Sequence, residues 1–314
     1  MKLGIIMDPI EDIEIEQDTT FALMLEAQSR DHEIFYMEPD AIWLQDGLIW
    51  GRMSPIEVMD DEDEWFTLGD ELSQPLVELD AVMMRKDPPF DMDYIYITYL
   101  LEQAESQGLV VVNKPQSLRD ANEKFYTAWF PQCCPKTLVT SDMDLISDFL
   151  DDEEQIIVKP LDNKGGGSIF MLEAGDINTN VILETVTDEG SKLVMAQHYI
   201  QAIEETGDKR ILMIYGKPIP YALARIPAED DFRGNISRDA TTQGCELTDR
   251  DRWLCEQVGP TLVKKGLNFV GLDVIGDFLT EINVTSPTGV RELENCFDVN
   301  ICGEFFDKLE AELE

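Results

Sequence analysis

The stretch FVGLDVIGDFLTEINV, residues 269–284, restricts the fold more than any other part of the chain. Two apolar runs flank Gly276–Asp277, so the local expectation is a β-hairpin turning there. Three oxygen-bearing side chains interrupt the apolar runs: Asp273, Glu281 and Asn283. Glu281 and Asn283 share one strand face by the period of two. A strict two-residue turn would pair Asp273 with Thr280 and aim Asp273 away from Glu281. All three reach one face only if the turn gains a residue or a bulge inserts one, and that register is the expectation. Hard oxygen ligands suit Mg2+, which binds through one or two carboxylates plus phosphate oxygens. A hairpin with ordinary exposed polar residues is the competing reading of this stretch alone.

The N-terminal part has the rhythm of an α/β unit. KLGIIM and EIFYME are short apolar strands around TTFALMLEAQSR, a helical pattern opened by a Thr cap. AIWLQDGLIWGRM reads as a hairpin turning at Asp46–Gly47. DAVMMRK is a strand, YIYITYLLEQAESQG a helix closed by Gly108, and LVVVN another buried strand. Strands alternating with helices predict a mostly parallel sheet up to about residue 119, with Asp8, Arg85 and Lys86 at strand ends where such sheets bind ligands. SLRDANEKFYTAWF reads as a helix opening a second unit. QIIVKPL, SIFMLEA and KLVMAQHYI read as strands, with a helix near 176–189. KRILMIYGKPIPYALARI reads as two strands about Gly216–Lys217, and RDRWLCEQVGPTLVKKG and GEFFDKLEAELE as helices. Residues 227–246 lack periodicity and read as a long exposed loop, a length that is usually functional or disordered.

The charge, −40 from 64 acidic and 24 basic residues, argues against nucleic acid and anionic membranes as partners. It reads as a solvated acidic surface. No apolar run approaches a membrane span or a secretion signal, so a cytoplasmic protein is expected. The six cysteines include no C-x-x-C pair; a redox role for vicinal Cys133 and Cys134 is the lesser reading beside ordinary packing. Two histidines leave little room for histidine-centred catalysis.

The scarce cations carry more information. Lys159 ends the apolar strand IIVKPL, where an ammonium is costly unless paired; surface snorkelling is the alternative. Lys124, Arg210 in GDKRIL and Arg225 in LARIP are further candidates for anion binding, since arginine forks onto carboxylates. Converging, these islands would form an anion-binding cleft inside an anionic protein. In KPLDNKGGGSIF the lysine precedes the glycines, the reverse of the G-x-x-x-x-G-K-[ST] phosphate loop, and a strand follows rather than a helix. A strand–glycine turn–strand hairpin whose N–H groups cover a phosphate fits better.

Taken in order, Lys124, KPLDNKGGGSIF, MAQHYI, DKRIL and LDVIGDFLTEINVTSPT resemble an ATP-grasp carboxylate–amine ligase. MDP, VMMRKDPPFD, VNKPQSLRDANEK and EINVTSPTGVRE narrow the resemblance to bacterial glutathione synthetases, from residue 2 to about 310. The resemblance implies an α/β (α+β) ATP-grasp fold. Its parts are an N-terminal parallel-sheet domain (1–119), a central lid domain (120–200) and a C-terminal antiparallel-sheet domain (201–314), enclosing ATP. It implies that Lys124, Lys159 and the turn Gly165, Gly166, Gly167 and Ser168 meet the ATP phosphates. Gln197, His198, Tyr199 and Ile200 would form the adenine hinge, and Asp208 would bind the ribose or adenine region. Asp273, Glu281 and Asn283 would hold two Mg2+, with Mn2+ as a substitute. Arg210, Arg225 and Arg233 would grip γ-glutamylcysteine, with Arg85 and Lys86 nearby; Ser286, Pro287 and Thr288 would shape the acceptor or nucleotide pocket.

The implied chemistry is attack of a carboxylate of γ-glutamylcysteine on ATP, giving an acyl phosphate that glycine converts to an amide. No protein nucleophile is needed, in keeping with the paucity of histidine. A homotetramer is implied as well. In one respect the sequence departs from the family: the loop after Arg233–Gly234–Asn235 carries Asp239, Ala240, Thr241 and Thr242 in place of a G-G-R-G-like run. Two alternatives stay open at this point: a ligase for another carboxylate and amine, and a regulatory ATP binder that has lost turnover.

Overall fold

The structure, a computed structural model, describes residues 1–162, 167–227 and 241–314. Its N-terminal sheet comprises β1 (Lys2–Ile6), β2 (Glu33–Met37), β3 (Ile42–Gln45), β4 (Leu48–Val58), β5 (Phe66–Leu68), β6 (Leu72–Pro75), β7 (Ala81–Met84) and β8 (Val110–Val112). The order is β3-β4-β2-β1-β7-β8, with β5 and β6 added on β4. A second sheet holds β9 (Thr137–Thr140), β10 (Gln155–Pro160), β11 (Phe170–Glu173) and β12 (Val194–His198) in the order β11-β10-β12-β9. A third holds β13 (Asp208–Ile214), β14 (Lys217–Ile226), β15 (Thr241–Glu246), β16 (Phe269–Ile275) and β17 (Phe278–Asn283), ordered β15-β14-β13-β16-β17. The helices are α1 (Thr19–Ser29), α2 (Met92–Glu105), α3 (Pro115–Asp120), α4 (Met143–Glu153), α5 (Thr179–Val186), α6 (Ile203–Thr206), α7 (Asp249–Lys264), α8 (Val290–Cys296) and α9 (Ile301–Leu313). No helix among the described residues is long and apolar enough to cross a membrane.

Strands β2, β1, β7 and β8 run parallel, as the alternating pattern predicts, but β3 to β6 join antiparallel, so the sheet is mixed where a mostly parallel one was expected; both faces of the parallel layer are covered. Ile6 and Val82 pack with Tyr94, Ile97 and Leu101 of α2. Their neighbours Ile5, Ala81 and Met83 pack with Phe21 and Leu23 of α1 and Phe305 of α9. The β3–β4 hairpin turns at Asp46–Gly47, both at positive φ, the backbone that a two-residue hairpin demands. The second hairpin differs by one residue from expectation: Ile214 pairs with Lys217, so the turn is Tyr215–Gly216.

Three further expectations need correction, the first being the long loop read over 227–246, whose residues 241–246 form β15 paired on β14. Asp18, not a threonine, caps α1 by accepting from the Phe21 N–H, which leaves Thr19 to accept from Val290 N. The single helix expected over 117–130 is α3 followed by a separate 3-10 turn, Phe125–Trp129. Between them the Asn122 side chain accepts from the N–H groups of Lys124 and Phe125, offering the backbone an alternative to the helical ladder. Strand β9 and helix α4, capped by Asp142, escaped the sequence reading.

The third sheet has two unlike faces. One carries Ile211, Met213, Ala222, Leu272, Val274 and Ile282 and packs on Leu254, Cys255 and Val258 of α7. The other carries the charges that were singled out in the sequence.

Candidate active site

The β16–β17 hairpin adopts the register that the oxygen side chains require. Its turn stays at two residues, Ile275 pairing with Phe278, but the pairing slips by one between Asp273 and Val274. Val274 faces Leu279 and Asp273 faces Glu281, so Thr280 is the extra residue of a bulge. Gly271 then faces Asn283, placing Asp273, Glu281 and Asn283 on the same face. The bulge has a second effect: the Thr280 carbonyl accepts from Lys159 Nζ at 3.2 Å. Lys159 is 5% exposed, so it is buried and paired, not snorkelling. Burial lowers the pKa of its ammonium, with Glu281 acting the other way. Lys124, just ahead of the 3-10 turn, lies 3.6 Å from Glu281 Oε1.

Arg210 and Arg225 reach the same face from β13 and β14. Arg210 grips Asp273 with two bonds, Nε to Oδ1 at 2.5 Å and Nη2 to Oδ2 at 3.0 Å. Arg225 Nη2 meets Asp273 Oδ2 at 3.0 Å and Asp208 Oδ2 at 2.5 Å. Burial alone would raise both carboxyls, and the outcomes diverge. The two guanidiniums hold Asp273 well below the usual carboxylate range. Asp208 is pushed up to about 7 by burial, against the pull of Arg225. Two adjacent carboxyls whose environments drive them apart mark a functional site more often than a structural one.

The loop after β17 is clasped from three directions. Glu123 Oε1 accepts from Val284 N (2.9 Å), Thr285 N (3.1 Å) and Thr285 Oγ1 (2.9 Å). Arg85, arriving from the end of β7, donates to the Pro287 carbonyl, and Arg210 donates to the Thr288 carbonyl. Asn113 adds a further stitch: its side chain donates to the carbonyls of Phe269 and Val284 and accepts from the N–H groups of Asn268 and Phe269. Glu123 and Asn113 were not singled out in the sequence, although both sit in VNKPQSLRDANEK. Their signal was polarity in a segment between apolar elements, which reads equally as a solvated loop.

The cation islands converge in part. Lys124, Lys159, Arg210 and Arg225 gather around Asp273 and Glu281, and Arg85 joins through Pro287. Lys86 is turned to Asp8, at 2.8 Å. In the hinge, Gln197 is buried and donates to Thr137, while His198 is half-exposed with Nδ1 3.0 Å from Glu153. The N–H groups of His198 and Tyr199 already serve the carbonyls of Lys136 and Gln155. That leaves Ile200 as the backbone donor of those three for a base. Ser286 is partly buried, Pro287 buried and Thr288 exposed; Gly167 and Ser168 form a turn before β11. Gly165, Gly166 and Arg233 lie outside the described residues.

Glu281 and Asn283 offer oxygens that suit Mg2+, whereas Asp273 could join them only by releasing an arginine, since both its oxygens accept from Arg210 and Arg225. Glu281 lies beyond hydrogen-bond distance of Lys124 and is 22% exposed, so its oxygens are open to a hard cation. Among the described residues no three of His, Cys, Asp and Glu form a metal cage, so Asn283 and phosphate oxygens would have to complete the shell.

The family model described as prokaryotic glutathione synthetase, N-terminal domain, matches residues 1–119, and that for the ATP-grasp domain of the same enzymes matches residues 123–298. A protein of Coxiella burnetii named glutathione synthetase is 57% identical over 311 residues, covering 99% of this chain and 97% of that protein. One of Pseudomonas syringae pv. tomato with the same name is 52% identical over 314 residues, covering 100% and 98%. Among solved structures, D-cycloserine synthetase DcsG superposes with a TM-score of 0.69 at 13% identity over 99% of this chain and all of that one. The ATP-grasp ligase PsnB, complexed with Mg and ADP, gives 0.64 at 18%, covering 99% and 98%. These two share the fold at a sequence distance where little else carries over. With an ATP-grasp fold, and family models and full-length relatives in accord from end to end, the chain belongs to the prokaryotic glutathione synthetase family.

Proposed function

We propose that this chain ligates γ-L-glutamyl-L-cysteine to glycine at the expense of ATP, giving glutathione, ADP and phosphate through an acyl phosphate. The observation that carries the reading is end-to-end similarity to glutathione synthetases in a chain whose buried cations converge on one sheet face. The cysteinyl carboxylate attacks the γ-phosphorus and ADP leaves with the bridging oxygen. The glycine nitrogen then attacks the acyl carbon, phosphate departs with the C–O bond pair, and the nitrogen releases its proton.

Lys124 and Lys159 are suited to the transferring phosphoryl group: both are buried, and their charges need no reorganisation when the phosphate arrives. Arg210 and Arg225, with Arg233, are assigned to the dipeptide carboxylates. Asp273 holds the first two in place, so they stand oriented in advance. Asp273, Glu281 and Asn283 would hold Mg2+, two ions in this reading, with Mn2+ as a substitute. The metal when bound would neutralise charge on the nucleotide phosphates. Ile200 and its neighbours are assigned to adenine, Asp208 to the ribose side and the 165–168 turn to the phosphates. Arg85, Lys86 and the Ser286–Thr288 segment are assigned to the substrates.

The three sheets support the division into 1–119, 120–200 and 201–314. Met92, Tyr96 and Tyr99 stand exposed along one face of α2, which supports a homo-oligomer; a tetramer in the cytoplasm is the assembly and compartment assigned in this reading. Phosphate release with ATP and γ-glutamylcysteine, with and without glycine, tests the function. Turnover that ignores glycine, or that prefers another amine, would replace this reading with that of a different ATP-grasp ligase. Light scattering of the purified protein tests the assembly.

A further inference from the structure

Glu292, in the first turn of α8, is the charged group on this face that the mechanism leaves unused. Both carboxylate oxygens are buried, and among the described residues neither has a hydrogen-bond partner on another residue. A carboxylate stripped of water with nothing to replace it is costly, so its presence calls for an explanation. The surroundings supply one. Helical side chains lean toward the N-terminus of their helix, which for Glu292 is Thr288–Gly289, the segment packed on Arg210: Arg210 donates to the Thr288 carbonyl, and a Cβ at Gly289 would lie 3.5 Å from its Cγ. Arg210 and Arg225 are the first two cations whose charge Glu292 feels. Arg225 Nε and Asp208 Oδ1 are likewise buried without partners among the described residues. An unmet donor and unmet acceptors on one face complement a ligand that carries both charges.

We propose that Glu292 receives the α-ammonium of the γ-glutamyl end of the dipeptide, and so selects substrates that carry a cation there. This rests on the ligase reading, in which γ-glutamylcysteine brings two carboxylates and one ammonium. Arg225 Nε takes the α-carboxylate beside it. The other assigned groups of the substrate cleft are largely cationic and suit the anionic ends; a lone carboxylate among them suits the one cationic end. The exposed edge of the site is Thr288.

The test compares γ-glutamylcysteine with N-glutarylcysteine, which lacks only the ammonium, in wild type and Glu292→Gln, using the full chain with Mg2+, ATP and glycine. Wild type is expected to show a KM at least about tenfold higher for the deaminated analogue, the scale of a buried charge-assisted contact. In E292Q the KM for γ-glutamylcysteine should rise to meet that of the analogue, while the KM for ATP stays within about twofold. The ligand-free variant should melt no lower than wild type, since it loses an unmet buried charge. A variant that keeps the wild-type preference overturns the proposal. So does one that raises the KM for both dipeptides and ATP alike and melts lower, which would make Glu292 a structural charge. If E292Q does not fold, the shift in wild-type melting temperature with each dipeptide alone decides, and equal shifts overturn the assignment. Wild type without glycine-dependent turnover would overturn the ligase reading itself, an outcome distinct from turnover without preference.

Discussion

Asp208 and Lys209 are neighbours in sequence, yet each enters a buried ion pair on an opposite face of the same sheet. Lys209 Nζ meets Asp251 at 2.5 Å, and Asp208 meets Arg225 at 2.5 Å. The first pair is complete. Asp251 also accepts from the N–H and hydroxyl of Thr248 and forms the capping box of α7, so the pair ties β13 to the helix beneath it. The second pair is incomplete: among the described residues Asp208 Oδ1 and Arg225 Nε are buried without partners, and Asp273 competes for the same guanidinium. Equal distance and similar burial thus conceal two kinds of charge. One is satisfied by the fold; the other is held short of satisfaction on the face that the proposed function assigns to substrates.

Substitutions should separate the two faces. The largest effect is expected for Glu281→Gln, with a fall in kcat of roughly 10^2 to 10^3 and an unchanged denaturation midpoint. Turnover at the wild-type rate with saturating Mg2+ would remove Glu281 from the site. Next comes Lys209→Met, which leaves Asp251 charged and buried. Urea denaturation should show a loss of about 3–5 kcal/mol, while kcat per folded molecule stays within about twofold. A kcat loss without a stability loss would mean that the faces are not independent. Adding Asp251→Asn to Lys209→Met keeps a capping oxygen and removes the stranded charge, and should recover more than about half of that loss; equal stability of single and double variants would contradict the account.

The smallest effect concerns pH. The carboxyl of Asp208 sits near 7 in the folded protein, above the ordinary value of 3.8. Between these values the folded state binds more protons than the unfolded one, so this group's contribution to stability falls as pH rises through the window and is level above it. Asp208→Asn, neutral throughout, should gain on wild type by on the order of 1 kcal/mol as pH rises from about 4 to about 7. Denaturation curves that run parallel across the window would rule this out.

Legibility from sequence divides along the same line. The hairpin register was readable because three oxygens could share a face only if the turn or a strand gained a residue, and the bulge at Thr280 supplies it. Lys159 was readable because an ammonium ending an apolar strand needs a reason. Glu123 and Asn113 were not, since their partners are backbone groups more than 150 residues away that composition does not announce. Glu292 was hidden among the many acidic residues that read as solvated surface. The helix expected over 117–130 failed through one side chain, Asn122, which diverts two N–H groups locally. The strand read over 192–200 is β12, Val194–His198, and the N–H groups of His198 and Tyr199 proved to be committed to the protein's own carbonyls.

The peptide unit between Pro287 and Thr288 has one carbonyl beside it tied to Arg85 of the first sheet and the next tied to Arg210 of the third. Any relative breathing of those two layers must therefore strain this short length of chain before it can proceed. Mechanically the loop is a two-point suspension, and its stiffness is set by the interface between layers more than by the loop's own composition. A substitution far out on that interface would thus be felt at Ser286–Thr288 as a loosening, without any residue of the loop being touched.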